Sequence, residues 1–177
     1  MIHSGQKNKK SMYIFLGISG FVLFLLQSSV LPFLADAKGM PCPDLLLCFA
    51  CIIPCFADIK TSAVFALCAG FVADLFINYP SSLSPVVYLS GVCLVYLIYR
   101  FFSGINTVTA AVCAIPVFFV KAAVGFFGTL FAFGESAQPL KIVAEFFVYS
   151  PLVNFATILV ISFITKPVLK KMKIYYA

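Results

Sequence analysis

Long apolar runs separated by short polar clusters set the organisation of this chain. Residues 11–35 are almost wholly apolar, with Gln27, Ser28 and Ser29 interrupting the later half and Pro32 placed to bend or end the run. Gly39, Pro41 and Pro43 forbid a continuous helix through the link at 36–42. A second run, 43–57, opens on Pro43-Asp44, a proline and an acid suited to a helix start. Its strictly apolar part, 45–57, is about 20 Å long at the helical rise, against roughly 30 Å of bilayer hydrocarbon, and is read as a short crossing. Asp58-Ile59-Lys60 turns the chain into a third helix at 61–79, and the cluster from Asn78 to Ser82 turns it into a fourth at 83–99. The fifth run, 105–133, would be about 43 Å if wholly helical, so it must tilt, kink at Pro116 or extend past the membrane. A last link at 134–139 precedes a sixth helix at 140–165 that carries Pro151. The pattern predicts an all-α integral membrane protein, a bundle of six transmembrane helices flanked by a basic leader, 1–10, and a basic tail, 166–177.

Composition sharpens that reading. The chain is 63% hydrophobic and only 10% charged, well outside the range of soluble domains. Six helices of roughly 20 residues with short links account for its length and leave no room for a soluble domain. The first apolar run is too long for a signal-peptide core, so it is expected to be retained as a helix. The net charge of +6 does not suggest nucleic acid, because no basic patch is interleaved with exposed aromatics. It suggests topology. With both termini cytoplasmic, the inner positions hold Lys7, Lys9, Lys10, Lys60, Arg100, Lys166, Lys170, Lys171 and Lys173, and the outer links hold Lys38 and Lys141. That is the positive-inside pattern.

A few polar residues inside apolar runs are candidates for function. Asp74 lies in ALCAGFVADLFINY, and a carboxylate at membrane depth normally faces protein or water and has a partner. Ala66, Gly70 and Asp74 recur every four residues, so they share a helix face on which another backbone approaches closely, with Ala73 beside them. Counted along each helix, Asp74 and Glu145 both lie about 8 Å from the outer end, Lys121 about 18 Å and Asn154 about 21 Å. A lysine can reach outward along its stem, which allows an ion pair between Lys121 and Asp74 or Glu145; the alternative is that each finds separate backbone or water partners. Asn154 would be level with Lys121, and together these groups form an intramembrane polar network. Cys48, Cys51 and Cys55 fall on one face of the second helix, but no histidine or fourth local cysteine completes a metal site, and no disulfide is expected from seven cysteines mostly within apolar segments. The only histidine, His3, is in the leader, and neither a nucleophile elbow nor a phosphate loop is present. No enzyme activity and no cofactor are expected.

With those residues laid out, the chain resembles the bacterial rod-shape-determining protein MreD family. The features that carry the likeness are the basic start running straight into the first helix, Pro43-Asp44-Leu45-Leu46-Leu47 opening the second, and Gly70-Phe71-Val72-Ala73-Asp74-Leu75-Phe76 in the third, where the family has a glycine and then an aspartate near the outer end. The resemblance implies a non-catalytic, multi-pass protein of the bacterial cytoplasmic membrane that acts in peptidoglycan elongation and cell shape. It would bind the single-span partner MreC, and through it the actin-like filament and the wall synthases. It also implies a fold like that of the substrate-binding component of energy-coupling-factor transporters. That component is the competing functional class: a small-molecule binder in which Asp74, Glu145 and Lys121 would line an outward-facing pocket. The outer links are short for loops that must cap a ligand. The scaffold reading makes Ala66, Gly70 and Ala73 a groove for a partner's helix, and anionic lipid a natural contact of the basic tail.

Overall fold

A computed structural model describes residues 3–33, 42–76, 83–101, 107–133 and 143–171. The expected links at 36–41, 78–82 and 134–139, with Lys38 and Lys141, and the end of the tail at 172–177 lie outside the described residues. Those residues are helical apart from short connections, with no strand among them. Six helices follow in chain order. Helix α1 is His3–Leu25, continued through a wide π turn, Leu26–Val30, to Phe33; α2 is Leu45–Ile52, closed by a 3-10 turn, Ile53–Cys55. Helices α3, α4 and α5 are Ile59–Phe76, Ser84–Phe101 and Thr107–Phe133, and α6 enters through a π turn, Glu145–Tyr149, and runs over Ser150–Lys171.

Four segments are long and apolar enough to cross a membrane: Lys10–Phe33, Ile59–Phe76, Ala111–Gly128 and Glu145–Val168. Two apolar helices, Leu45–Cys55 and Ser84–Ile98, are shorter. The large apolar side chains left on the outside, among them Phe21, Phe71, Leu75, Leu152 and Phe163, suit a lipid environment rather than water. By the length and composition of its helices the chain is suited to a membrane.

The architecture is five helices around one. Helix α2 touches each of the other five, while α3 packs on α4, α4 on α5 and α5 on α6. Its residues from Leu46 to Ile53 are buried without exception, on every side of the helix. A helix apolar all round belongs in a core. At about 16 Å over Leu45–Cys55, α2 is shorter than the hydrocarbon core of a bilayer, and it is enclosed by its neighbours. The three cysteines expected on one face are part of that enclosure, Cys48 and Cys51 being fully buried.

Ring contacts give the direction of the chain. Phe15 of α1 meets Phe49 of α2 and Phe56, just past its closing 3-10 turn, edge-on at one end of the bundle, with centroids 6.2 and 6.4 Å apart, and Phe24 meets Phe76 of α3 at the other, 5.3 Å apart. Gly91 of α4 abuts Val117 of α5, and Gly125 of α5 abuts Phe146 of α6.

Both π turns stand two residues before a proline, Pro32 and Pro151. A proline ring clashes with the carbonyl four residues back and donates no hydrogen bond. In each turn the bonding slips to five residues: Leu31 N–H donates to Leu26 O, and Ser150 N–H to Glu145 O. Pro32 therefore widens α1 without ending it. Pro54, by contrast, coincides with the 3-10 turn that closes α2.

A candidate functional site around Asp44

The start of α2 poses a physical problem. Its first-turn N–H groups have no carbonyl partner within the helix, and inside an apolar bundle there is no bulk water to take them. Asp44, only 1% exposed, is the N-cap, and its Oδ1 accepts from Leu47 N–H at 3.0 Å. Gln27, turned inward by the π turn of α1, accepts from Leu46 N–H on its Oε1 at 2.9 Å and donates from Nε2 to Asp44 Oδ1 at 3.1 Å. Asn154 of α6 accepts Asp44's own N–H on Oδ1 at 2.7 Å. Every one of these contacts satisfies a group that burial would otherwise leave bare.

A capping carboxylate is favoured by the positive end of the helix dipole, but a lone buried charge still needs a cation. Lys121, halfway along α5, supplies it by pairing with Asp44 Oδ2. The hydroxyl of Tyr88, at the start of α4, donates between the two carboxylate oxygens at 2.6 and 2.7 Å. Cys48 donates weakly to the backbone carbonyl of Asn154 at 3.4 Å. Side chains from α1, α4, α5 and α6 thus converge on the first residues of α2. Among the described residues, helix α3 contributes none.

The structure brings together two of the three residues expected in the polar network. Lys121 and Asn154 meet, though across Asp44, and Lys121 takes neither Asp74 nor Glu145. Glu145 is exposed in the π turn of α6, outside the cluster. The reason is depth: α2 starts well inside the bundle, so its N-cap carboxylate lies at the level of Lys121. Three members, Gln27, Asp44 and Tyr88, were not expected in a network. Gln27 and Asp44 carry a signal, the one a polar group within an apolar run and the other an acid that follows Pro43 and opens one, whereas a tyrosine near a helix start carries none.

Ala66, Gly70 and Ala73 are buried, and the surface against them belongs to this chain. A methyl at Gly70 would lie 2.4 Å from Pro85 Cα and 2.6 Å from Pro85 N. The face is therefore filled by α4, not left open as a groove for another protein. Asp74, one turn on, is partly buried, and its Oδ1 is enclosed without a hydrogen-bond partner among the described residues.

Chemically, the Asp44 cluster is a saturated knot. Its carboxylate already accepts from an amide side chain, a backbone N–H, a phenol and an ammonium, and almost none of it is accessible. Among the described residues no group of three or more His, Cys, Asp or Glu stands close enough to hold a metal ion. Compared with known protein families, curated proteins and solved structures, the chain matches none.

Proposed function

We propose that this protein is a non-catalytic, multi-pass scaffold of the bacterial cytoplasmic membrane, acting in cell-wall elongation as the MreD family does and holding a single-span partner of the MreC kind. What supports the reading is the state of Asp44. The Asp44 cluster is fully occupied in fixing five helices to one another, which is what a rigid platform requires and what a substrate pocket does not. In this reading all six helices lie in the membrane, both termini are cytoplasmic, and α2 is the plug that the other five enclose.

Because α4 covers the small-residue face of α3, the partner's helix is assigned to another surface. Asp74 supplies a point of recognition there. Its enclosed Oδ1 has no donor among the described residues, and Phe71 and Leu75, which flank it along α3, are exposed. A hydroxyl, amide or basic group on the partner's span would satisfy that acceptor, and such a contact is worth more in rotational register than in affinity, since interhelical hydrogen bonds in membranes average about 0.6 kcal/mol.

The test is affinity purification of the tagged protein in mild detergent from its native cells, with mass spectrometry of proteins and small molecules. Recovery of a single-span protein together with wall synthases is the expected result, and Asp74→Asn should reduce that recovery while leaving the thermal midpoint of the bundle unchanged. A stoichiometric vitamin-like molecule or an ATP-driven transport module in place of those partners overturns the proposal in favour of the transporter component.

A further inference from the structure

A lateral groove between α1 and α3 runs from one end of the bundle toward its middle. Its outer part, about 560 Å³, is bounded by Tyr13, Gly17, Lys60, Val64 and Cys68, with Asp58 and Thr61 at the turn into α3. Its inner part, about 320 Å³, shares Leu16, Gly17, Phe65 and Cys68 with the outer part and continues past Gly20 to Phe24 and Val72. The two form one channel along about 11 residues of α1, roughly 17 Å, and α2 contributes Leu46 to its floor. Gly17 keeps it open: a methyl there would have nothing within 4 Å.

The channel is apolar within, and its mouth holds Lys60 and Asp58; Lys10 nearby on α1 leaves the mouth with a net charge of +1. Lys60 lines the mouth, and Lys10 precedes Tyr13 by one helical turn on the same face of α1. Both are exposed, and neither has an ion-pair partner among the described residues. Asp58 also lies at the mouth, but its carboxylate accepts from Thr61 Oγ1 at 2.7 Å and Thr61 N–H at 3.4 Å, as the cap of α3. The apolar segments of α1 and α3 begin at Lys10 and Ile59. The two lysines therefore stand where the hydrocarbon meets the headgroups, directly above a chain-wide apolar slot.

From this charge complementarity we infer that the α1–α3 groove is a binding site for an anionic phospholipid, with the headgroup phosphate on Lys60 and Lys10 and one acyl chain laid over Gly17 and Gly20 against Phe65. Ordinary annular lipid fills any surface furrow. This site is distinguished by headgroup charge at its mouth and by open space at Gly17 that a leucine-sized side chain would fill.

The experiment is native mass spectrometry of the full chain in detergent, titrated separately with phosphatidylglycerol and phosphatidylcholine. Phosphatidylglycerol is retained by the wild type and phosphatidylcholine is not. Each lysine near a membrane surface is worth about one kcal/mol, so Lys10→Gln with Lys60→Gln weakens retention roughly thirtyfold. Gly17→Leu abolishes it without lowering the thermal midpoint, since the side chain enters open space. Location is read from alkylation by a lipid-soluble maleimide: phosphatidylglycerol slows reaction at Cys68, which lines the groove, and leaves the exposed Cys93 of α4 unaffected. Equal retention of the two lipids, or Gly17→Leu binding like wild type, overturns the assignment. So does protection of Cys68 by a co-purified protein in samples free of phosphatidylglycerol.

Discussion

At the scale of single residues the balance is set by Asp44. An ordinary interhelical hydrogen bond in a membrane protein is worth about 0.6 kcal/mol, but removing one member of a buried ion pair typically costs about 3–5 kcal/mol, because the other charge is stranded. Lys121→Met should therefore destabilise the bundle by a few kcal/mol, measured as the midpoint of thermal unfolding in detergent. Combining it with Asp44→Asn should recover much of that loss, since no uncompensated charge then remains. Simple addition of the two single effects would mean that the residues are not coupled. Tyr88→Phe removes one donor to an ionised acceptor and should cost about 1.5–3 kcal/mol. Part of this site is legible in the sequence. Lys121 and Asn154 stand out as polar groups in apolar runs, and Pro43-Asp44 reads as a helix start. The pairing is not legible, because counting residues inward from a common membrane plane assumes that every helix begins at that plane. Asp44 violates the assumption: it caps a helix that starts inside the bundle, at the level of Lys121.

At the scale of helices, close approach governs. Gly70 and Gly91 each stand where a methyl would overlap a neighbour, at 2.4 Å from Pro85 Cα and 2.6 Å from Val117 Cγ1. The two sites differ in what can yield. Gly70 faces backbone, so Gly70→Ala must part α3 from α4 and should cost about 1–3 kcal/mol. Gly91→Ala meets one side-chain methyl, and Val117→Ala should rescue it in the double variant, again read from unfolding midpoints. The recurrence of Ala66, Gly70 and Ala73 is visible in the sequence as a packing face. Whether the backbone received there is a partner's or the chain's own is a property of the fourth helix, and no feature of the third helix alone discloses it. The prolines teach a similar lesson: Pro32 and Pro151 are evident as disturbances, while the wide turns that absorb them depend on the whole helix continuing beyond.

At the scale of the molecule, a ring of five helices around α2 makes reactivity a map of position. Cys68 and Cys93 are exposed to the outside of the bundle, whereas Cys48 and Cys51 are sealed within it. A small lipid-soluble maleimide should modify the first pair under folding conditions, and the second pair only after thermal unfolding. Modification of Cys48 at the rate of Cys93 would contradict the enclosed central helix. Number, order and approximate extent of the helices follow from apolar run length, a signal integrated over many residues. The central place of the second run follows from its shortness only when the other five are seen to close around it.

The enclosure of α2 also imposes an order in time. As the chain is synthesised, the polar start of this helix appears with Gln27 already made, but Tyr88, Lys121 and Asn154 arrive 44, 77 and 110 residues later. Until the last of them is in place the charged cap of α2 lacks its full complement of partners in lipid. The nascent protein is therefore a waiting intermediate whose second helix is held provisionally by the first, and whose completion depends on the final helix reaching it. Chains halted at residue 133 should accumulate as targets of membrane quality control, whereas chains halted at 171 should persist.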